Sequence, residues 1–140
     1  MNCMFTEKET SYINSQPLAR LATVSKDLQP DASPVGFEFD GKDFYITGRD
    51  LAATRKYKNI AGGYQKVALV IDDLESIDPW KPRGIRIFGT AEIVERSGKL
   101  GSVDYLHIIP NVSWSWNIEG PAIIGGKFLP NKTIQNIEPE

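Results

Sequence analysis

The sequence predicts a small, mainly β protein, an antiparallel barrel with two or three short helices. Three observations carry this. Six or seven stretches have strand length and strand composition. Most are separated by short turns rich in Gly, Pro, Asn and Asp. Helix-start signals occur in only two places. Strands joined by tight turns, without alternating helices, point to a closed antiparallel sheet.

The elements follow in order. Thr6-Glu7-Lys8-Glu9 has the capping-box pattern, Thr at the cap and Glu three later. It opens a helix to about Ser15, with Tyr12 and Ile13 inward, and Pro17 stops it. Leu18 to Val24 reads as a buried strand, and Asp27 to Pro30 as the next turn. Val35, Phe37 and Phe39 alternate with Gly36, Glu38 and Asp40, the period of a half-buried strand. Asp40-Gly41-Lys42-Asp43 is a hairpin turn, and Phe44 to Thr47 returns antiparallel. Asp50 is placed to cap a helix from Leu51 to Ala61, ended by Gly62-Gly63. Val67 to Ile71 is an apolar run suited to a central strand, and Asp72 to Pro82 reads as a polar loop holding Trp80. Ile85 to Val94 is a long strand with Ile85, Ile87, Gly89, Ala91 and Ile93 on one side. Small residues at Gly89 and Ala91 imply close approach of a backbone or ligand. Arg96 to Gly101 reads as a turn or short helix, and Val103 to Ile109 as a strand. In the last strand Val112, Trp114, Trp116 and Ile118 share one face and Ser113, Ser115 and Asn117 the other. The tail from Gly120 reads as irregular.

The chain has 140 residues, enough for one compact domain over 1–140 and short of two. Its net charge of −2 argues against nucleic-acid binding driven by phosphate neutralisation. No apolar run approaches a membrane span, and the N-terminal residues lack the pattern of a signal peptide. One cysteine, Cys3, leaves no internal disulfide, and a reducing, cytoplasmic setting is the expectation. One histidine, His107, and one cysteine exclude most metal sites, and no metal is expected. No acidic residue stands beside His107 in sequence, so it reads as structural. Cys3 reads as part of a frayed terminus. The chemistry therefore belongs to a bound cofactor.

One segment stands apart from the acidic total. Arg49, Arg55, Lys56 and Lys58, with Asn59, gather on and beside a short helix that follows a strand. Lys56 and Asn59 share a face, as do Arg55 and Lys58. Convergent Arg and Lys at a helix start hold phosphate groups. A solvated helix face is the competing reading, and spacing alone leaves both open. Ser33-Pro34-Val35-Gly36 is either an ordinary strand start or a place where a flat ring lies against backbone. Trp80, Trp114 and Trp116 can cover a ring, anchor a subunit interface or fill the core, and core is the commoner fate of Trp at strand spacing. Arg83 and Arg86 can reach a cofactor tail or stay on the surface.

Several segments, in order and spacing, resemble one family. They are Gln16 to Val24, Ser33 to Phe37, Leu51 to Lys56, Val67 to Leu74, Asp78 to Gly84, Gly89 to Glu92 and Ile108 to Trp116. Over about residues 5 to 118 the chain resembles the pyridoxamine 5′-phosphate oxidase-like group, in its branch of coenzyme F420-dependent enzymes. The resemblance implies a split β-barrel and a homodimer with cofactor sites at the subunit interface. It implies coenzyme F420, or alternatively FMN, as cofactor. Carried over by position, Arg49, Thr54, Arg55, Lys56 and Asn59 would hold the cofactor phosphate. Ser33, Pro34, Val35 and Gly36 would border the ring, with Thr47 and Gly48 nearby. Trp80 and Trp116 would close the pocket. No acid–base catalyst is implied. The branch commonly has Gly after the last Trp, where this chain has Asn117. The function implied is an oxidoreductase that moves a hydride between F420 or FMN and a small organic substrate. The alternative is a carrier that binds a flavin or tetrapyrrole without turnover.

Overall fold

The computed structural model describes residues 4–98 and 101–135. Cys3 and the tip of the 96–101 turn therefore lie outside the described residues. The chain folds mainly into an antiparallel sheet. Its strands are β1 (Ala19–Val24), β2 (Pro30–Val35), β3 (Glu38–Phe39), β4 (Phe44–Ile46), β5 (Lys66–Ser76), β6 (Lys81–Gly98) and β7 (Gly101–Trp116). The sheet runs in the order β2-β1-β5-β6-β7-β4-β3. Gly36 and Phe37 alone link β2 to β3, the strands at its two ends, so the chain itself draws the edges together into a barrel. The period-2 run at Val35–Phe39, expected as one strand, breaks at this link.

The helix α1 (Glu7–Ser15) begins with the expected capping box. Tyr12 and Ile13 are buried, with Leu21, Leu69, Ile71, Ile85, Ile87 and Ile108 in the core they join. Glu9 is also fully buried. Its carboxylate accepts from the Thr6 amide, the Ser115 hydroxyl and the Asn131 amide, so a charge that burial alone would penalise is hydrogen-bonded. A second tie joins α1 to the wall. The Tyr12 hydroxyl donates to Asp73 Oδ1 at 2.8 Å, and Arg83 grips the same carboxylate through two bonds of 2.8 and 2.9 Å. Arg83 also lies over the Tyr12 ring at 5.1 Å. Arg83 is thus part of the framework rather than of a cofactor tail site.

Several expectations are corrected. Asp72 to Ser76 is strand, because it pairs with Lys81 to Gly84 beyond the apolar part of the barrel, and only the short 77–80 segment turns. Strands β6 and β7 are single long strands, and β6 runs to Gly98 where a turn was expected from Arg96. The tail contains strands as far as it is described: β8 (Ile123–Ile124) and β9 (Lys127–Phe128) form a hairpin, and β10 (Asn131–Ile134) pairs with β7. Counting β10, the main sheet has eight strands rather than six or seven.

The Trp-bearing strand also faces differently from its commoner fate. Along β6, Ile85, Ile87, Gly89 and Ala91 point inward without interruption. On β7 the inward set is Leu106, Ile108 and Pro110, then Ser113 and Ser115. The register slips between Phe88 and Gly89, so Asn111 is an extra residue, a β-bulge. Parity flips there, and Trp114 and Trp116 come out half-buried on the outer face.

The Arg83 bonds hold the Asp73 carboxyl below the usual carboxylate range against some burial, and Tyr12 assists. Burial first, and Asp73 second, push the Tyr12 phenol up. A depressed carboxyl contributes stability that is complete above its unfolded value, about 3.9, and is lost as pH falls through the folded value. Asp73→Asn is therefore expected to destabilise the protein near about pH 7 and to lose that deficit toward about pH 3. Urea unfolding of both proteins across this range checks it; a deficit that persists undiminished in acid would show that the carboxylate charge is not what counts.

Candidate functional site

The basic segment begins where β4 ends. Residues Leu51–Ala53 form a single tight helical turn, and the helix α2 proper is Arg55–Ala61. Asp50 makes no capping bond and holds left-handed backbone at φ 53°, so the expected cap is corrected. Thr54 is the cap: its hydroxyl accepts from the Tyr57 amide and donates to the Leu51 carbonyl. Buried Leu51 and Ile60 pin this segment to the barrel. That leaves Arg49, Arg55 and Lys58 exposed, with Lys56 and Asn59 half-buried. Among the described residues, none of these four cations takes part in an ion pair. With only seven residues, α2 offers an anion its side chains more than its dipole.

Asn59 points back to the barrel and donates to Thr23 Oγ1 at 2.9 Å. Thr23 is buried on the inner face of β1 with Leu21, while an apolar cavity of about 480 Å³ that its position borders opens on the outer face of β1, β5 and β6. Ala22, Ala68, Phe88, Thr90 and Asn111 complete its wall. The cavity sits at the bulge, where Gly89 lets two backbones meet: a Cβ there would stand 2.5 Å from the Ile109 carbonyl oxygen. The close approach expected at Gly89 is therefore to backbone.

The other residues singled out by sequence fall elsewhere in the chain. Ser33, Pro34 and Val35 lie on the edge strand β2, with Val35 turned into the core. Ser33 Oγ is buried and has no hydrogen-bond partner among the described residues. Gly36 and Thr47 line a separate cleft beside Tyr45, and the Thr47 hydroxyl donates to the Asp104 carbonyl. Gly48 has open space where a side chain would stand. Trp80 and Trp116 share a third pocket at the far end of β6. One chain thus holds these residues in several places, not in a single cavity.

Sequence inspection missed the surroundings of His107. Its Nε2 lies 2.8 Å from Asp43 Oδ2 and its Nδ1 2.9 Å from Glu92 Oε1. The imidazole stacks on Tyr45 at 4.7 Å, and Arg96 lies 3.6 Å from the centre of that ring. These partners come from cross-strand pairing, His107 facing Glu92 and Tyr45, so strand register was the signal needed. Arg86 lies over Trp114 at 4.3 Å and Phe88 at 5.2 Å on the outer face.

Residues 5–117 match the family model for pyridoxamine 5′-phosphate oxidase. The chain belongs to that family. A relative in Streptomyces rimosus subsp. rimosus, a 5a,11a-dehydrotetracycline/5a,11a-dehydrooxytetracycline reductase, is 36% identical over 127 residues, covering 86% of this chain and 89% of the relative. Among solved structures, HupZ of Group A Streptococcus superposes with a TM-score of 0.65 at 23% identity, covering 84% of this chain and 98% of HupZ. A conserved hypothetical protein of Mycobacterium tuberculosis gives 0.63 at 20% identity, covering 81% and 86%. A protein named F420 reductase gives 0.56 at 22% identity, covering 70% and 90%. These likenesses show the shared split-barrel fold. The family and its reductase relative support an oxidoreductase-type function. Among the described residues no helix is long and apolar enough to cross a membrane.

Proposed function

We propose that this family member is a reductase that uses coenzyme F420, with FMN as the alternative, at the interface of a homodimer. The observation that carries the reading is the cluster of four cations at 49–58, free of carboxylate partners among the described residues, on a segment that Asn59 ties to Thr23 of the barrel wall, with an apolar cavity on the other face of that wall. Both cofactors have a flat fused-ring head and an anionic tail, and the residues present suit both parts. Arg49, Arg55 and Lys56 would hold the tail, with Thr54 and Asn59 beside them. Four cations exceed what one phosphate monoester needs, and they suit the longer F420 tail, which carries a phosphodiester and carboxylates. Ser33 to Gly36, with Thr47 and Gly48, lie apart from that cavity in one chain and would border the ring only across the dimer interface.

When bound and reduced, either cofactor supplies a hydride, and a proton completes the reduction of the substrate. The relative is named a reductase of 5a,11a-dehydrotetracycline and 5a,11a-dehydrooxytetracycline, and reduction of a carbon–carbon double bond is proposed here. The chain's own part is to position the reactants and to neutralise the tail.

The dimer reading rests on the outer face. Phe88 is 44% exposed there and meets Trp114 edge-on at 4.9 Å. Aromatic and Arg side chains on an open face are typical interface anchors. A second copy covering that face would bring two cofactor cavities to the interface.

Two outcomes are expected. Lys56→Ala should weaken F420 affinity about tenfold or more, the worth of one charge-assisted contact. Fluorescence titration with F420 and FMN measures it, and unchanged affinity in a folded variant would remove the proposed grip. Trp114→Ala should weaken self-association more than cofactor affinity; a dimer that survives dilution in sedimentation experiments would contradict that role.

A further inference from the structure

The pocket at the far end of β6 is a different kind of cavity from the one beside α2. It measures about 610 Å³, within the roughly 300–1,000 Å³ typical of sites for drug-sized molecules. Its walls are Trp80 from the 77–80 turn, Trp116 at the end of β7 with Ile118 just beyond it, Ala122 just before β8, and Ile123 and Phe128 from the β8–β9 hairpin. Trp80, Ile123 and Phe128 are 66%, 66% and 60% exposed, so their apolar faces lack a cover in this chain. Three polar residues, Glu75, Lys81 and Asn117, also line it.

The pocket is built rather than incidental. Trp116 lies across Gly84, where a Cβ would come within 2.7 Å of its ring. Asn117 adopts left-handed backbone at φ 56°, a conformation open to Asn as well as Gly. Its side chain donates to the Pro82 carbonyl at 2.6 Å and accepts from the Ala122 amide at 2.9 Å. This staples the hairpin wall to β6. The wall from residue 118 onward lies outside the family match.

We propose that this pocket binds the organic substrate, and that its class is a flat, multi-ring, largely apolar molecule with a few polar groups at one edge. This rests on the reductase reading above. Broad aromatic surfaces suit a fused-ring plane, while Lys81, Glu75 and Asn117 suit oxygen substituents along its rim. From Pro82 to Gly89 the strand runs about 23 Å, so the substrate pocket and the Phe88 cavity of one chain stand apart. A substrate here would reach a cofactor only across the proposed homodimer interface.

Calorimetric titration of the full chain with tetracycline, a four-ring probe, tests the assignment. Tetracycline is expected to bind, and 2-cyclohexen-1-one, a single ring, at least about tenfold more weakly. Phe128→Ala and Ile123→Ser, both at exposed positions, should each weaken tetracycline about tenfold while leaving F420 affinity unchanged. Lys56→Ala should do the reverse. Failure of F420 and FMN to bind, with tetracycline still bound, would strike the reductase reading and leave the pocket assignment standing. The assignment is overturned if tetracycline does not bind, if neither pocket variant affects it, or if those variants change only self-association, which would make the hairpin a contact between copies.

Discussion

The structure depends on one extra residue. Asn111 has no partner in the β6–β7 ladder, and the register slips beside it. A one-residue slip turns every later side chain to the opposite face. Before the bulge, β7 sends Leu106 and Ile108 into the core; after it, Ser113 and Ser115 face inward and the tryptophans outward. Gly89 permits the kink, since any side chain would collide with the Ile109 carbonyl. The flip puts Ser115 where it meets the buried Glu9 carboxylate, so the packing of α1 depends on it too. The same kink opens the cavity lined by Phe88, Thr90 and Asn111.

Charge is distributed to match. The framework carboxylates have fixed partners: Asp73 has Arg83 and Tyr12, Asp43 has His107, and Glu9 has three donors. The cations at 49–58 have none among the described residues. Of the described lysines and arginines only Arg20 and Arg83 form ion pairs, so what marks the 49–58 set is its clustering in a protein of net negative charge. Under the proposed function, the cations, the apolar cavity and the aromatic pocket would divide the labour among tail, ring and substrate.

Local signals in the sequence were read well. The capping box at Thr6, the Asp40–Asp43 turn and the apolar run at Val67–Ile71 each act through neighbours within a few residues. Where partners are distant, the sequence was less legible. Asp72 to Ser76 looks like loop because its ladder partners, not its composition, make it strand. The hairpin after Gly120 is held by Asn117 and by the Leu129 amide on the Ala122 carbonyl, contacts that no periodicity announces. The tryptophan alternation was visible, but its direction was not, because a bulge leaves the period-2 pattern intact on either side. The partners of His107 are hidden in the sequence for a similar reason: Asp43 and Glu92 reach it only through the register of other strands. The candidate site was legible as residue types, whereas its division among separate cavities required the fold.

The most direct test of this account is deletion of Asn111, with Asn111→Ala as the control that keeps the chain length. Urea unfolding followed by tryptophan emission is the measurement. The deletion is expected to abolish the cooperative transition or lower its midpoint severely, because Ser113 and Ser115 would be driven outward and Trp114 and Trp116 inward, while Asn111→Ala unfolds like the parent. A deletion variant with the parent's midpoint and emission would contradict the claim that this residue sets the facing of the strand and, through it, the site.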